Sequence, residues 1–149
     1  MRAIVQRVKC AKVTVDNQIV GQIAAGLLVY LGVGKGDDES DAVFIADKIV
    51  NLRIFADSKG KMNLSVKDIA GQILVVSNFT LYGDCRKGRR PGFDLAAEPA
   101  IAERLYEKAV ELIKKEGLTV QTGIFAADMD VTASNDGPIN FLLDSKRTF

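Results

Sequence analysis

Three short segments of this chain carry residue types that could do chemistry, and the chain contains no histidine to help them. The first is Ser134-Asn135-Asp136-Gly137-Pro138-Ile139-Asn140, where three strong turn-formers precede a proline between the apolar stretches Met129–Ala133 and Ile139–Leu143. An ordinary hairpin would stop at Asp-Gly. Pro138 after Gly137 removes a backbone donor and admits a cis peptide bond at modest cost. Two readings stand: a tight hairpin with no further role, or a rigid array of main-chain groups that cradles a small substrate. Main-chain groups crowding a Cα would reject one enantiomer while tolerating different side chains.

The second segment is Ser77-Asn78-Phe79-Thr80-Leu81, which leaves a buried strand. The amides of Phe79 and Thr80 could bind a developing oxyanion, and the hydroxyl of Ser77 or Thr80 could position water or attack. Alternatively, Ser77 and Thr80 satisfy backbone groups where a sheet frays. A hydroxyl nucleophile needs a base, and without histidine only a lysine or a carboxylate could serve. The third segment, Arg86-Lys87-Gly88-Arg89-Arg90-Pro91-Gly92-Phe93, puts four cations into five positions of a chain whose net charge is only +1. Arg86, Lys87, Arg89 and Arg90 read as phosphate contacts with Phe93 available to stack on a base, or as a solvated charge cluster. Cys85 beside Arg86 is a thiol nucleophile for which no base can be named. Arg7 sits among Ile4, Val5 and Val8; it either points to solvent or is buried and holds a turn, a carboxylate or a neighbouring subunit.

The whole-chain numbers narrow the setting. At 149 residues and 48% hydrophobic content, the chain is long enough for one domain (1–149) with a proper core. Charge is almost balanced, 20 basic against 19 acidic residues, so only a local patch could argue for nucleic acid, and DNA is not an expected partner. Two cysteines without histidine make neither a zinc site nor any other metal centre an expectation, and no cofactor motif is present. No apolar run approaches the ~20 residues of a membrane span. A cytoplasmic location in a reducing compartment is expected.

Positioning these groups requires strands and two helices. Strands are predicted at residues 2–8, 11–15 and 18–23, the last two joined by an Asp16-Asn17 turn, and at Leu27–Val33, Ile54-Phe55 and Ile73–Val76. Asp37 and Asp38 cap a helix running to about Leu52. A second helix has Pro99 in its first turn, a face of Ile101, Leu105, Ala109, Leu112 and Ile113, and a stop at Lys114-Lys115 and Gly117. Further strands are predicted at Thr119–Phe125, Met129–Ala133 and Ile139–Leu143. Two helices among roughly eight strands indicate a mixed α/β, strand-rich fold of layered β/β/α architecture, the helices lying on one side of packed sheets. A homodimer would cover the exposed strand edges.

Together these segments resemble the D-aminoacyl-tRNA deacylase family along the whole chain. The resemblance rests on Gln6-Arg7-Val8, Asn51-Leu52-Arg53-Ile54-Phe55, Val76-Ser77-Asn78-Phe79-Thr80-Leu81, Lys87-Gly88-Arg89-Arg90-Pro91, Ala126-Ala127-Asp128-Met129 and Asn135-Asp136-Gly137-Pro138. Two departures are visible: the family usually carries Gln where Asn78 stands, and Val-Thr where this chain has Ile139-Asn140. The resemblance implies an ester hydrolase that removes D-amino acids, and glycine, from tRNA without a cofactor. It implies a homodimer in which a cis Gly137-Pro138 pair reaches into the partner's pocket and excludes L-amino acids, with Arg7 fixing it in place. Ser77, Phe79 and Thr80 would line the reacting centre, with Asn78 at the substrate. The activating group would be either Thr80 or the 2′-hydroxyl of the terminal adenosine, and the lack of histidine favours the latter.

Overall fold

Alternation in the first fifteen residues builds one long strand rather than the two expected. In the computed structural model, which describes residues 1–149, β1 (Arg2–Val15) is unbroken. Val8 and Cys10 stand opposite the consecutive residues Asn135 and Ser134, so one extra residue bulges at Lys9. A bulge moves the side-chain phase by one residue. Ala3 and Val5 therefore pack beneath the helices, whereas Val8, Ala11 and Val13 enter a second core. The break in the pattern at residues 9 and 10 marks a change of face, not the end of a strand.

Asp16 and Asn17, both at positive φ (48° and 63°), form the two-residue turn into β2 (Gln18–Ile23). β3 (Gly26–Gly32) is buried on both faces apart from Tyr30. Asp38 caps α1 (Glu39–Asn51): Ser40 N–H donates to its carboxylate at 2.8 Å, and Asp38 N–H donates to Asp41 at 2.9 Å. Asp37 does not share that role. It turns inward to accept from Gly34 N–H at 2.6 Å and from the Tyr82 hydroxyl at 3.2 Å, and it pairs with the Met1 ammonium at 2.8 Å.

β4 (Phe55–Ala56) and β5 (Met62–Leu64) make a small separate ladder. β6 (Gln72–Ser77) runs parallel to β3, then a 3-10 turn spans Phe79–Tyr82, where the sequence suggested a fraying strand. α2 (Pro99–Lys115) leads to β7 (Thr119–Thr122), which is parallel to β6 and ends three residues earlier than expected. On α2, Leu105, Tyr106, Ala109, Val110 and Ile113 face the core, while Ile101 is exposed in a first turn whose Pro99 and Ala102 border a cavity instead.

β8 (Asp130–Asp144) is the largest correction. Met129–Ala133 and Ile139–Leu143 are not two hairpin strands; they are the two ends of one strand that stays antiparallel to β1 throughout. Gln6 pairs with Asn140 and Val8 with Asn135, so residues 136–139 loop out opposite Arg7. The turn-forming residues buy a protrusion from a continuing strand rather than a reversal of the chain.

The sheet runs β2-β1-β3-β6-β7, with β8 along the other edge of β1. One edge of β1 is shared, Arg2–Val8 with β3 and Ala11–Val15 with β2, which curls the sheet until Gly21 of β2 meets Thr122 of β7. Two cores result. Leu27, Leu31, Ile73 and Val75 pack under Ile45, Ile49, Leu105 and Ile113 of the helices, while Leu28, Leu74 and Val76 face Val8, Val13 and Ile23 inside the curled sheet. Each fully buried Leu or Ile is worth about 1.5–3 kcal/mol. Helices on one side of packed strand layers is the arrangement expected.

Candidate active site

The carboxyl ends of β3 and β6 lie side by side and open into a cavity of about 690 Å³. Ligands in sheets with parallel strands commonly bind outside those ends, and the volume suits a small organic group. Tyr30, Gly32, Val76, Ser77, Asn78, Phe79 and Thr80 form one wall; Pro99, Ala102 and Tyr106 of α2, with Ala97 just ahead of it, form another; Phe125, Ala127, Asp128 and Met129 close it. The segment 77–80 is thus brought to a cavity as expected. Burial pushes the hydroxyls of Tyr30 and Tyr106 above their ordinary range, and Tyr106 donates to the Val75 carbonyl at 2.9 Å.

Asn78 organises the corner. Its side-chain oxygen accepts from Thr80 N–H at 3.1 Å and from the Thr80 hydroxyl at 2.5 Å, capping the 3-10 turn. Two expectations change as a consequence. The Thr80 amide is already engaged and does not aim at an oxyanion, and the Thr80 proton rests on an amide oxygen, which is no base. Tyr82 anchors the far end of the turn: its ring packs against Gly34, where a Cβ would come within 2.4 Å. The Arg2 guanidinium lies 4.6 Å from the same ring and donates to the Leu81 carbonyl at 3.2 Å.

Arg7 is half-buried beneath the protruding segment of β8. It donates to the Ile54 carbonyl at 2.7 Å, and its Nε stands 2.9 Å from Asp136, an ion pair by distance although the N–H is not aligned along that line. From the other side, Asn135 donates to the Arg7 carbonyl at 2.9 Å. Asp136 and Asn135 are therefore shaping residues. The Gly137-Pro138 peptide is cis, Gly137 has φ +120°, and both residues are exposed. Neither lines the cavity of its own chain.

The basic segment forms an exposed loop closed by paired hydrogen bonds between Asp84 and Gly92. Arg86 is not free there: its fork grips the Asp84 carboxylate at 2.8 and 2.7 Å, which holds that carboxyl well below its usual range. Lys87, Arg89 and Arg90 are exposed and carry no ion pair. Cys85 is also exposed and lies outside the cavity wall. Sequence reasoning missed the wall built from Phe125 and Asp128, because those residues follow β7 and reach the cavity only through tertiary packing. Positive φ at Ala126 (60°) reflects the tight path of that loop.

The description of the family model that matches residues 4–144 is D-Tyr-tRNA(Tyr) deacylase. Proteins named D-aminoacyl-tRNA deacylase from Fervidobacterium nodosum and Clostridioides difficile are 58% and 60% identical over the full length of both chains. Among solved structures, a c-Myc DNA unwinding element binding protein superposes with a TM-score of 0.91 at 38% identity, covering 97% of this chain and 98% of its own. A probable eukaryotic D-amino acid tRNA deacylase shares the fold, with a TM-score of 0.78 at 16% identity over 95% of this chain and 97% of its own. From its first strand to its last, the chain is an enzyme of the D-Tyr-tRNA(Tyr) deacylase family.

Proposed function

We propose that this protein hydrolyses the ester bond of D-aminoacyl-tRNA, and of glycyl-tRNA, releasing free amino acid and tRNA in the cytoplasm. The observation that carries the mechanism is the state of Thr80, whose hydroxyl proton is held by Asn78 in a cavity that has no histidine or lysine on its wall and whose one lining carboxylate, Asp128, makes no hydrogen bond to Thr80. A protein that offers no activated nucleophile leaves the proton transfer to its substrate. The 2′-hydroxyl of the terminal adenosine activates water, which attacks the ester carbonyl. The tetrahedral intermediate then collapses to the free carboxylic acid and the ribose 3′-hydroxyl. The Phe79 N–H is the amide left to receive the oxyanion, while Ser77 and Thr80 hold the reacting group in place.

Handedness is assigned to Gly137 and Pro138 supplied by a second copy of the chain. Their exposure, their separation from their own cavity and their bracing by Arg7 through Asp136 support that assignment. So does the outer edge of β8, which pairs with no strand and carries exposed Phe141 and Leu142 beside the protrusion. Lys87, Arg89 and Arg90 meet the phosphates, and Arg86 braces their loop.

Incubation with D-Tyr-tRNA, L-Tyr-tRNA, Gly-tRNA and a 2′-deoxy-terminated D-Tyr-tRNA tests this reading. D-tyrosine and glycine should be released, L-tyrosine retained, and the deoxy substrate cleaved far more slowly. Retention of D-tyrosine would overturn the proposal. The structural neighbour named for DNA binding favours a second reading, a nucleic-acid-binding module without catalysis; such a protein would bind these RNAs and release nothing.

A further inference from the structure

Just outside the cavity, two aromatic rings stand in solvent where a soluble protein gains nothing by leaving them. Phe79, at the cavity wall, is 58% exposed, and Phe93 is 39% exposed. Their centroids lie 4.9 Å apart with planes inclined by 66°, an edge-on pair in which each ring keeps a free surface. Gly83 makes the approach possible, since a Cβ there would come within 3.2 Å of the Phe93 ring. Phe93 follows directly on Gly92, one base of the closed loop that carries the unpaired cations Lys87, Arg89 and Arg90.

We propose that Phe93 is a stacking platform for the unpaired nucleotide preceding the terminal adenosine of the tRNA, with the loop cations on the phosphates flanking it. The inference rests on the deacylase reading above and extends it from the reacting end to the strand that delivers it. Three observations converge. Aromatic faces beside a positive groove are how proteins hold single-stranded nucleic acid without reading its sequence. Phe93 adjoins Phe79 edge to face, with centroids 4.9 Å apart, so an exposed ring lies immediately beyond the one at the cavity wall. The charge is complementary, three free cations against a polyanion, on a chain whose net charge is only +1. The enzyme would thereby grip the flexible 3′ end that all tRNAs share, and need little of the folded body.

Substrates of graded length separate this from packing. D-Tyr-adenosine ends at the cavity, whereas D-Tyr esterified to the trinucleotide CCA, and to tRNA, reaches Phe93. Phe93→Leu, which keeps apolar volume but removes the π face, should lower kcat/KM for the trinucleotide and the tRNA by about tenfold. It should leave D-Tyr-adenosine unchanged, and Phe93→Tyr should restore the loss. An equal loss on all three substrates would make Phe93 a prop for Phe79, and no loss on any would leave it idle; either result overturns the proposal. If the wild-type protein cleaves none of the three, the deacylase reading itself has failed, and that outcome is visible before any variant is made.

Discussion

Replacing Thr80 with alanine discriminates between the two chemistries this cavity could support. The hydroxyl donates one hydrogen bond, to Asn78 at 2.5 Å, and the backbone N–H of the same residue donates to the same oxygen at 3.1 Å. The substitution removes the first and keeps the second, so the 3-10 turn retains its cap. Loss of one neutral hydrogen bond is worth about 0.5–1.5 kcal/mol, which corresponds to a decrease of roughly 2- to 13-fold in kcat/KM. Removing a covalent nucleophile from a hydrolase costs on the order of a million-fold instead. The two expectations differ by several orders of magnitude. Release of D-tyrosine from D-Tyr-tRNA, measured at saturating and subsaturating substrate beside a thermal unfolding control, reads the difference directly. A loss greater than about a thousandfold in a normally folded Thr80→Ala protein would refute substrate-assisted hydrolysis and make Thr80 the attacking group.

Other parts of the structure make further demands. Gly137→Ala places a Cβ 2.7 Å from the Ile139 side chain at φ +120°, a conformation costing an L-residue about 1–3 kcal/mol. The exposed segment should relieve that strain by moving, so discrimination between D- and L-Tyr-tRNA should degrade while the melting temperature changes little; intact discrimination would argue against the gate. Exchanging Lys87, Arg89 and Arg90 together for glutamine should reduce the slope of log affinity against log salt by about 2, given ~0.7 per phosphate of a single strand. An unchanged slope would put the RNA elsewhere. Asp41 supplies a pH signature. Burial raises its carboxyl, but hydrogen bonds from Lys146, Ser145 and the Asp38 amide, with the charge of the N-terminal ammonium, outweigh that and hold it at about 2. A depressed folded value contributes stability above the unfolded value near 4 and loses it as pH falls through 2. Asp41→Asn should therefore cost about 2 kcal/mol in urea unfolding at pH 6 and little at pH 2, and a pH-independent cost would contradict the pairing with Lys146.

Much of this architecture is legible in local pattern, and the two misread strands share one cause. The Asp16-Asn17 turn, the Asp38 cap and the Pro99 start of α2 are decided by residues within a few positions of one another, so the sequence displays them. The bulge at Lys9 and the protrusion at residues 136–139 are decided by a partner strand more than a hundred residues away. Turn-forming residues at 135–138 look the same whether the chain reverses or merely bulges, because only the register against β1 distinguishes the two. The engagement of the Thr80 amide by Asn78 hides for a different reason. Asn-x-Thr reads as polar decoration until the 3-10 turn brings N–H and side-chain oxygen together.

The same contrast bears on the division of labour at the site. Groups that hold the cavity corner in place are redundant: Asn78 caps the turn, Tyr82 fills the space over Gly34, and Arg2 ties Leu81 back to β1. The group assigned to handedness is braced as well, by Arg7 and Asn135, yet lines no part of its own chain's cavity. On the proposed reading, this rigid element outside its own chain's cavity serves the cavity of a second copy. On that argument the monomer has a pocket without chirality and a gate without a pocket. In the proposed dimer, dissociation without unfolding should abolish discrimination, so that the single chain cleaves D- and L-Tyr-tRNA alike; a monomer that still spared L-Tyr-tRNA while cleaving the D-form would break the argument.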